Sequence, residues 1–190
     1  MTATTAGASH RWTDVGKCWP TALGLALGGF APAGDDPAGA VLDGYGELLP
    51  YAALLYLVVG KLGRRGLTWP VFALGAAVIV ALRVVDVVSI AVVAAGFTIV
   101  ALAWSATSGE LRTSLFLRAQ AAGVIGFGAL ALVGLTVEPD VGRHVVAGGW
   151  LLHGGWDIVH LRLDRVVSRS YAEFCGVFDI LIGVGLAFVV

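Results

Sequence analysis

Gly148-Gly149-Trp150-Leu151-Leu152-His153-Gly154-Gly155-Trp156-Asp157-Ile158-Val159-His160 is an apolar stretch interrupted by three ionisable residues. At about 100° per residue a helix places His153, Asp157 and His160 within about 60° of one another, with Trp150 and Trp156 flanking them. Leu151 and Ile158 point the other way, so one face is chemical and the other apolar. In a bilayer each ionisable group near the midplane costs about 2.5 kcal/mol or more unless it is solvated. The stretch therefore predicts a polar site inside a helical membrane bundle.

The surrounding chain fits that reading. It has 190 residues, 58% of them hydrophobic and 13% charged, against a soluble average of roughly half apolar and a quarter charged. The mean hydropathy is +0.88, which predicts an integral membrane protein. A net charge of −1 without a long basic run sets nucleic-acid binding aside. Cys18 and Cys175 are expected at helix ends on the cytoplasmic side, as thiols rather than a disulfide. Ten Arg against two Lys, with abundant Ala, Gly and Val, fits a GC-rich bacterial source and hence a bacterial inner membrane.

Residues 1–16 are polar and read as a surface or disordered segment, and 17–190 as a single transmembrane domain. The run from Lys17 to Ala33 holds Gly24 and Gly28 at the GxxxG spacing that lets helices approach closely. Arg11 and Lys17 before it and Ala31-Pro32-Ala33 after it also fit a signal peptide, but it reads as a retained helix. Asp35-Asp36-Pro37 makes a turn. A second span over about 39–62 carries Asp43, Glu47 and Tyr51 at i, i+4, i+8, with Pro50 kinking it beside Glu47. Spans at about 67–83, 86–104, 111–136, 141–161 and 172–190 follow, each near the roughly 20 residues needed to cross. The expected fold is all-α, a polytopic bundle of seven transmembrane helices, with six as the alternative.

Charge orients it. With the N-terminus cytoplasmic, ten basic residues (Arg11, Lys17, Lys61, Arg64, Arg65, Arg112, Arg118, Arg162, Arg165 and Arg169) lie at the inner side against Arg83 and Arg143 outside. Trp19, Trp69 and Trp104 fall at the same inner boundary, as an aromatic belt does. The C-terminus is then outside.

Counting rises of about 1.5 Å puts Glu47, Gln120, His153 and Asp179 at middle depth, with Asp157 and Arg118 nearer the inner face. Arg118 reads as snorkelling or as a partner of Asp157, and His160 as interfacial. Arg83 and Asp86 read as a surface pair or cap, and Glu138, Asp140 and His144 as outer-loop residues. Glu47, His153, Asp157 and Asp179 converge at neighbouring depths, which points beyond packing.

Two chemistries suit such a set. A metal on His153 and Asp157 would need Glu47 or Asp179 as well, because His153 and His160 stand about 10.5 Å apart along the axis. That is the lesser expectation, and no cofactor is expected otherwise, since no dinucleotide or phosphate loop is present. The other is acid chemistry: a carboxylic acid enclosed in apolar surroundings can stay protonated and give its proton to an alkene or epoxide. Tyr51, Trp150, Trp156 and Phe178 would stabilise a carbocation by cation–π attraction. With Gln120 they complete the expected substrate-binding set. The substrate would be a lipophilic small molecule reaching the site from the lipid bilayer.

Short helices of this number, Glu47 within Gly46-Glu47-Leu48-Leu49-Pro50-Tyr51 and Asp179 within Val177-Phe178-Asp179-Ile180-Leu181-Ile182-Gly183 resemble the small integral membrane terpene cyclases. The resemblance rests on layout and two acids. It implies that Glu47 or Asp179 starts cyclisation of a polyprenyl chain, and it reaches neither His153 nor Asp157. These two are expected to act as base or orienting pair, which completes the candidate catalytic set of Glu47, Asp179, His153 and Asp157. Proton-coupled transport is the competing expectation, since buried carboxylates and a histidine can relay protons, although no internal repeat is visible. A structural membrane subunit is the third. Oligomeric state is left open.

Overall fold

A computed structural model describes residues 18–29 and 38–188. The polar N-terminal segment, the Ala31-Pro32-Ala33 sequence and the Asp35-Asp36-Pro37 turn lie outside the described residues. Among the described residues the secondary structure is helical, without strands. The helices are α1 (Trp19–Gly28), α2 (Ala38–Leu62), α3 (Thr68–Val85), α4 (Ile90–Thr107), α5 (Leu115–Thr136), α6 (Pro139–Leu163) and α7 (Arg169–Phe188). A 3-10 turn (Arg65–Leu67) precedes α3 and a one-turn helix (Glu110–Thr113) precedes α5.

Helix ends follow from side chains that take up orphaned backbone groups. Ser89 and Ser114 accept the amides of Val92 and Leu117 at the starts of α4 and α5, at 3.3 and 3.1 Å. Glu138 accepts the amides of Asp140 and Val141 at 3.1 and 3.2 Å, and Pro139 supplies a pre-set first residue for α6. Asp86 and Asp164 close α3 and α6 in the left-handed region, each at φ 49°, a conformation Asp tolerates better than most residues. Asp86 is thus the cap its position suggested, while Arg83 turns to Glu47.

Among the described residues four helical segments are long and apolar enough to cross a membrane: Arg65–Val85, Ile90–Thr107, Leu115–Thr136 and Arg169–Phe188, with mean hydropathies of 1.9, 2.0, 1.7 and 1.7. The other three differ for identifiable reasons. The described part of α1 has 10 residues. Both α2 and α6 have 25 residues, but α2 carries Asp43, Glu47 and Lys61, and α6 carries Asp140, Arg143, Asp157 and Arg162. Length suffices in these two and composition does not.

The connections before α3, α5 and α7 gather at one end. Lys61 reaches Ser108 at 2.6 Å and Glu110 at 2.8 Å. Arg65 pairs with Asp164 and donates to the carbonyl of Val167 at 3.0 Å. Ser168 donates its amide to Thr68 Oγ1 at 2.9 Å. At the opposite end Arg143 donates to the carbonyl of Leu186 at 2.6 Å.

Packing is uneven. α6 and α7 share the most extensive interface, and α2 with α5, α1 with α7 and α5 with α6 come next. Leu49, Leu57, Val124, Val146, Trp150 and Ile182 form one core cluster, and Tyr56, Val59, Tyr171 and Phe174 belong to a second. In lipid such contacts stabilise through close packing, because the tails are as apolar as the side chains. Gly24 and Gly28 serve this: a Cβ on Gly24 would lie 2.8 Å from the carbonyl oxygen of Phe174, and one on Gly28 3.1 Å from that of Phe178. At the other extreme, the α3 segment is only 6% buried, against 56% for α7.

Candidate functional site

The site forms where α6 and α7 touch backbone to backbone. A Cβ on Gly183 would stand 3.0 Å from the carbonyl oxygen of Ala147, and one on Gly154 3.3 Å from that of Gly176. Larger residues at these positions would push the helices apart. Because they do not, His153 and Asp157, one turn apart on α6, face Asp179 on α7. His153 Nδ1 lies 2.7 Å from Asp179 Oδ2, an imidazole N–H donating to a carboxylate, and 3.4 Å from Asp157 Oδ2. One ligand atom from each of the three residues lies within 4.8 Å of the others.

Tyr56 completes the group from α2. Its phenol O–H donates to Asp157 Oδ1. The rings of Tyr56 and Phe127 stand 5.7 and 4.8 Å from the imidazole of His153, both edge to face. His153 and Asp157 have no solvent exposure and Asp179 has 1%. Even so, among the described residues His153 Nε2 and Asp157 Oδ2 lack hydrogen-bond partners, and an unsatisfied buried polar atom costs about 1–3 kcal/mol.

The charges do not balance by themselves. Among the described residues His153 is the one cationic partner of either acid. An imidazolium between two carboxylates leaves a net −1, and the effective cost of burying an ion is several kcal/mol. Neutrality at this centre would take one further positive equivalent, a proton or a cation.

A second polar pair lies beside it. His160 Nδ1 donates to the carbonyl of Trp156 at 2.9 Å, which leaves Nε2 to accept from the Gln120 amide at 3.0 Å. Its ring packs 4.8 Å from that of Tyr56. His160, expected at the inner boundary, is enclosed by the bundle and only 4% exposed. Arg118 is exposed and does not pair with Asp157.

Of the expected site residues, His153, Asp157 and Asp179 come together and Glu47 does not. Glu47 faces Arg83 at 3.6 Å in a polar groove that includes Asp43, Asp86 and Ser89. The reason is helical register: Glu47 and Tyr56 are nine residues apart, about 180° around α2, so the Tyr56 face reaches α6 and the Glu47 face does not. Tyr51 also lies away from the acids, donating to the carbonyl of Phe72 at 3.1 Å. Trp150 donates its indole N–H to the carbonyl of Tyr45 at 3.2 Å. Trp156 packs edge-on to Phe127 at 6.4 Å, and Phe178 stacks on Phe174 at 5.7 Å. Gln120 sits beside the centre but binds His160.

Two cavities flank the bundle interior. An apolar one of about 300 Å³ lies between α2, α3 and α4, lined by Tyr51, Leu55, Val58, Val71, Gly75 and Phe97 among others. A second, of mixed lining and about 380 Å³, lies at the Arg65 end and reaches Gln120, with Ser114, Asp164 and Arg165 as well as Phe116 and Leu117 in its wall. Gln120 Oε1 has no partner.

Tyr56 and Phe127 were missed from the sequence. Tyr56 did carry a signal, because a phenol within Leu54-Leu55-Tyr56-Leu57 must find an acceptor when buried. Phe127 carried none. Comparison of the chain with protein-family models, with curated proteins and with solved structures finds no match in any of the three.

Proposed function

We propose that the protein is an integral membrane enzyme that performs acid–base chemistry on a lipophilic substrate, with the isoprenoids as the class to test. The observation that carries this is the centre itself, an imidazole buried between two carboxylates, which with all three groups ionised would be one positive equivalent short of neutrality. A proton shared by Asp179, His153 and Asp157 fills that deficit and is positioned for transfer. Delivered to a carbon–carbon double bond, it forms a C–H bond while the π electrons leave a carbocation. A second double bond then closes a ring, and loss of a proton to the vacated base yields a product of unchanged mass. The rings of Tyr56 and Phe127 flank the imidazole, and aromatic faces stabilise cations; the apolar cavity beside α2 suits an apolar chain, although the centre's residues do not line it. The seven-helix arrangement, with an inner N-terminus and the Arg65 end in the cytoplasm, belongs to the same proposal.

The test is conversion in deuterated water. Full-length protein in liposomes is given linear polyprenyl substrates, and products are read by mass spectrometry. An isomer carrying one deuterium, formed by the wild type and not by Asp179→Asn, supports the proposal; unchanged substrate throughout the panel opposes it.

Proton-coupled transport is favoured by a different observation. Gln120 and His160 extend from the second cavity to Tyr56, and Tyr56 binds Asp157, so polar groups run from one end of the bundle to Asp179. Proton flux across the same liposomes, abolished by Asp157→Asn and present without any substrate conversion, would favour this reading.

A further inference from the structure

We infer that the His153, Asp157 and Asp179 centre binds one divalent transition-metal ion of the zinc kind. This rests on the acid–base reading for the role of the centre but not for its reaction: the ion would take the place of the shared proton, and a water in its fourth position would be the acid.

The donors are one imidazole nitrogen and two carboxylate oxygens from α6 and α7, types suited to Zn²⁺ rather than to Mg²⁺ or Ca²⁺, which take oxygen alone. The three ligand atoms lie within 4.8 Å of one another, within reach of one ion after small side-chain shifts. Ligand atoms about 2.0–2.2 Å from a tetrahedral ion stand about 3.4 Å from one another. His153 Nδ1 and Asp157 Oδ2 are 3.4 Å apart, and Asp179 Oδ2, at 2.7 Å from the same nitrogen, would have to swing out by about 0.7 Å.

The decisive atom is Asp157 Oδ2. It is a fully buried carboxylate oxygen that points at the imidazole and has no hydrogen-bond partner. An ion coordinated there would satisfy it. With a neutral His153 the sum of two carboxylates and a doubly charged cation is zero, which removes the deficit of the isolated centre. Three protein ligands leave the fourth position of a tetrahedral ion to water or substrate, the pattern of catalytic rather than structural zinc.

Tyr56 then has a positioning role, since its phenol binds the other oxygen of Asp157 and fixes the carboxylate's orientation. His160 is excluded, because its Nδ1 is committed to the carbonyl of Trp156 and its Nε2 to Gln120.

The experiment uses the full chain in detergent, purified through a histidine-free tag, stripped with a chelator and titrated with Zn²⁺. Metal content after desalting and the shift in Tm are the readouts. One zinc per chain and a raised Tm are expected for the wild type and for Glu47→Gln, with none retained by Asp157→Asn or Asp179→Asn. Tyr56→Phe should bind about 10–100-fold more weakly. Should the Asp variants not fold, Co²⁺ added to the wild type decides alone: intense visible absorption of a tetrahedral complex, displaced by Zn²⁺, supports the site.

A wild type that retains no zinc and shows no such absorption overturns the inference. So does zinc held equally by wild type and Asp179→Asn. Deuterium labelling of product without metal retention would leave the acid–base reading standing alone. Metal retention without conversion would leave the site and remove that reading.

Discussion

Replacing Tyr56 by Phe removes one hydroxyl, and with it the bond to Asp157 Oδ1. The other oxygen, Oδ2, already lacks a partner, so the variant leaves the whole carboxylate without a hydrogen bond. Bonds to charged groups in proteins contribute about 1.5–3 kcal/mol, whereas side-chain bonds within membrane bundles average about 0.6 and reach about 1.7 kcal/mol. Asp157 has no solvent exposure and Tyr56 only 1%, so water cannot replace the lost donor and the upper end applies, about 1.5 kcal/mol. The assay is a double-mutant cycle on Tyr56→Phe and Asp157→Leu, with unfolding followed in mixed micelles of rising SDS fraction. A coupling of about 1–2 kcal/mol is expected. Additivity within about 0.5 kcal/mol would show that the phenol and the carboxylate do not share a bond, and the centre as described would lose its anchor on α2.

Gly183→Ala should destabilise by about 1–3 kcal/mol through overpacking, since its Cβ would stand 3.0 Å from a backbone oxygen of α6 that cannot rotate away; the same micelle titration reads it. Glu47→Gln should change stability by no more than about 1 kcal/mol, because the pair with Arg83 spans 3.6 Å and Arg83 is half exposed. Gln120→Leu should cost about 1–3 kcal/mol by leaving His160 Nε2 without a donor, and the loss should shrink if His160 is replaced by Phe in the same chain.

Element positions were legible because hydrophobic runs and Gly, Pro and Ser punctuation are local properties. Pro139 and Ser114, for example, begin helices for reasons written in neighbouring residues. The convergence of His153 with Asp157 was equally readable, since i, i+4 spacing dictates a shared face. Asp179 joined them as its depth suggested. Glu47 lies about 13.5 Å of helical rise from Tyr56, the α2 residue that meets Asp157, and on the opposite face: rotation of α2 is set by which side packs best. Leu49 seats against Gly149 and Tyr56 against Asp157, and that turns Glu47 toward Arg83. Tyr56 was overlooked because a search for ionisable residues passes over a phenol whose only distinction is the partner it finds on another helix.

The central claim is that His153 is clasped by Asp179 out of reach of water, and nitrogen-15 NMR of histidine-labelled full-length protein in detergent tests it most directly. In chelator-stripped protein a strongly downfield, slowly exchanging Nδ1–H resonance is expected for His153, present in the wild type and in Glu47→Gln and lost in Asp179→Asn. A His153 signal that exchanges rapidly with solvent and ignores Asp179→Asn would contradict it.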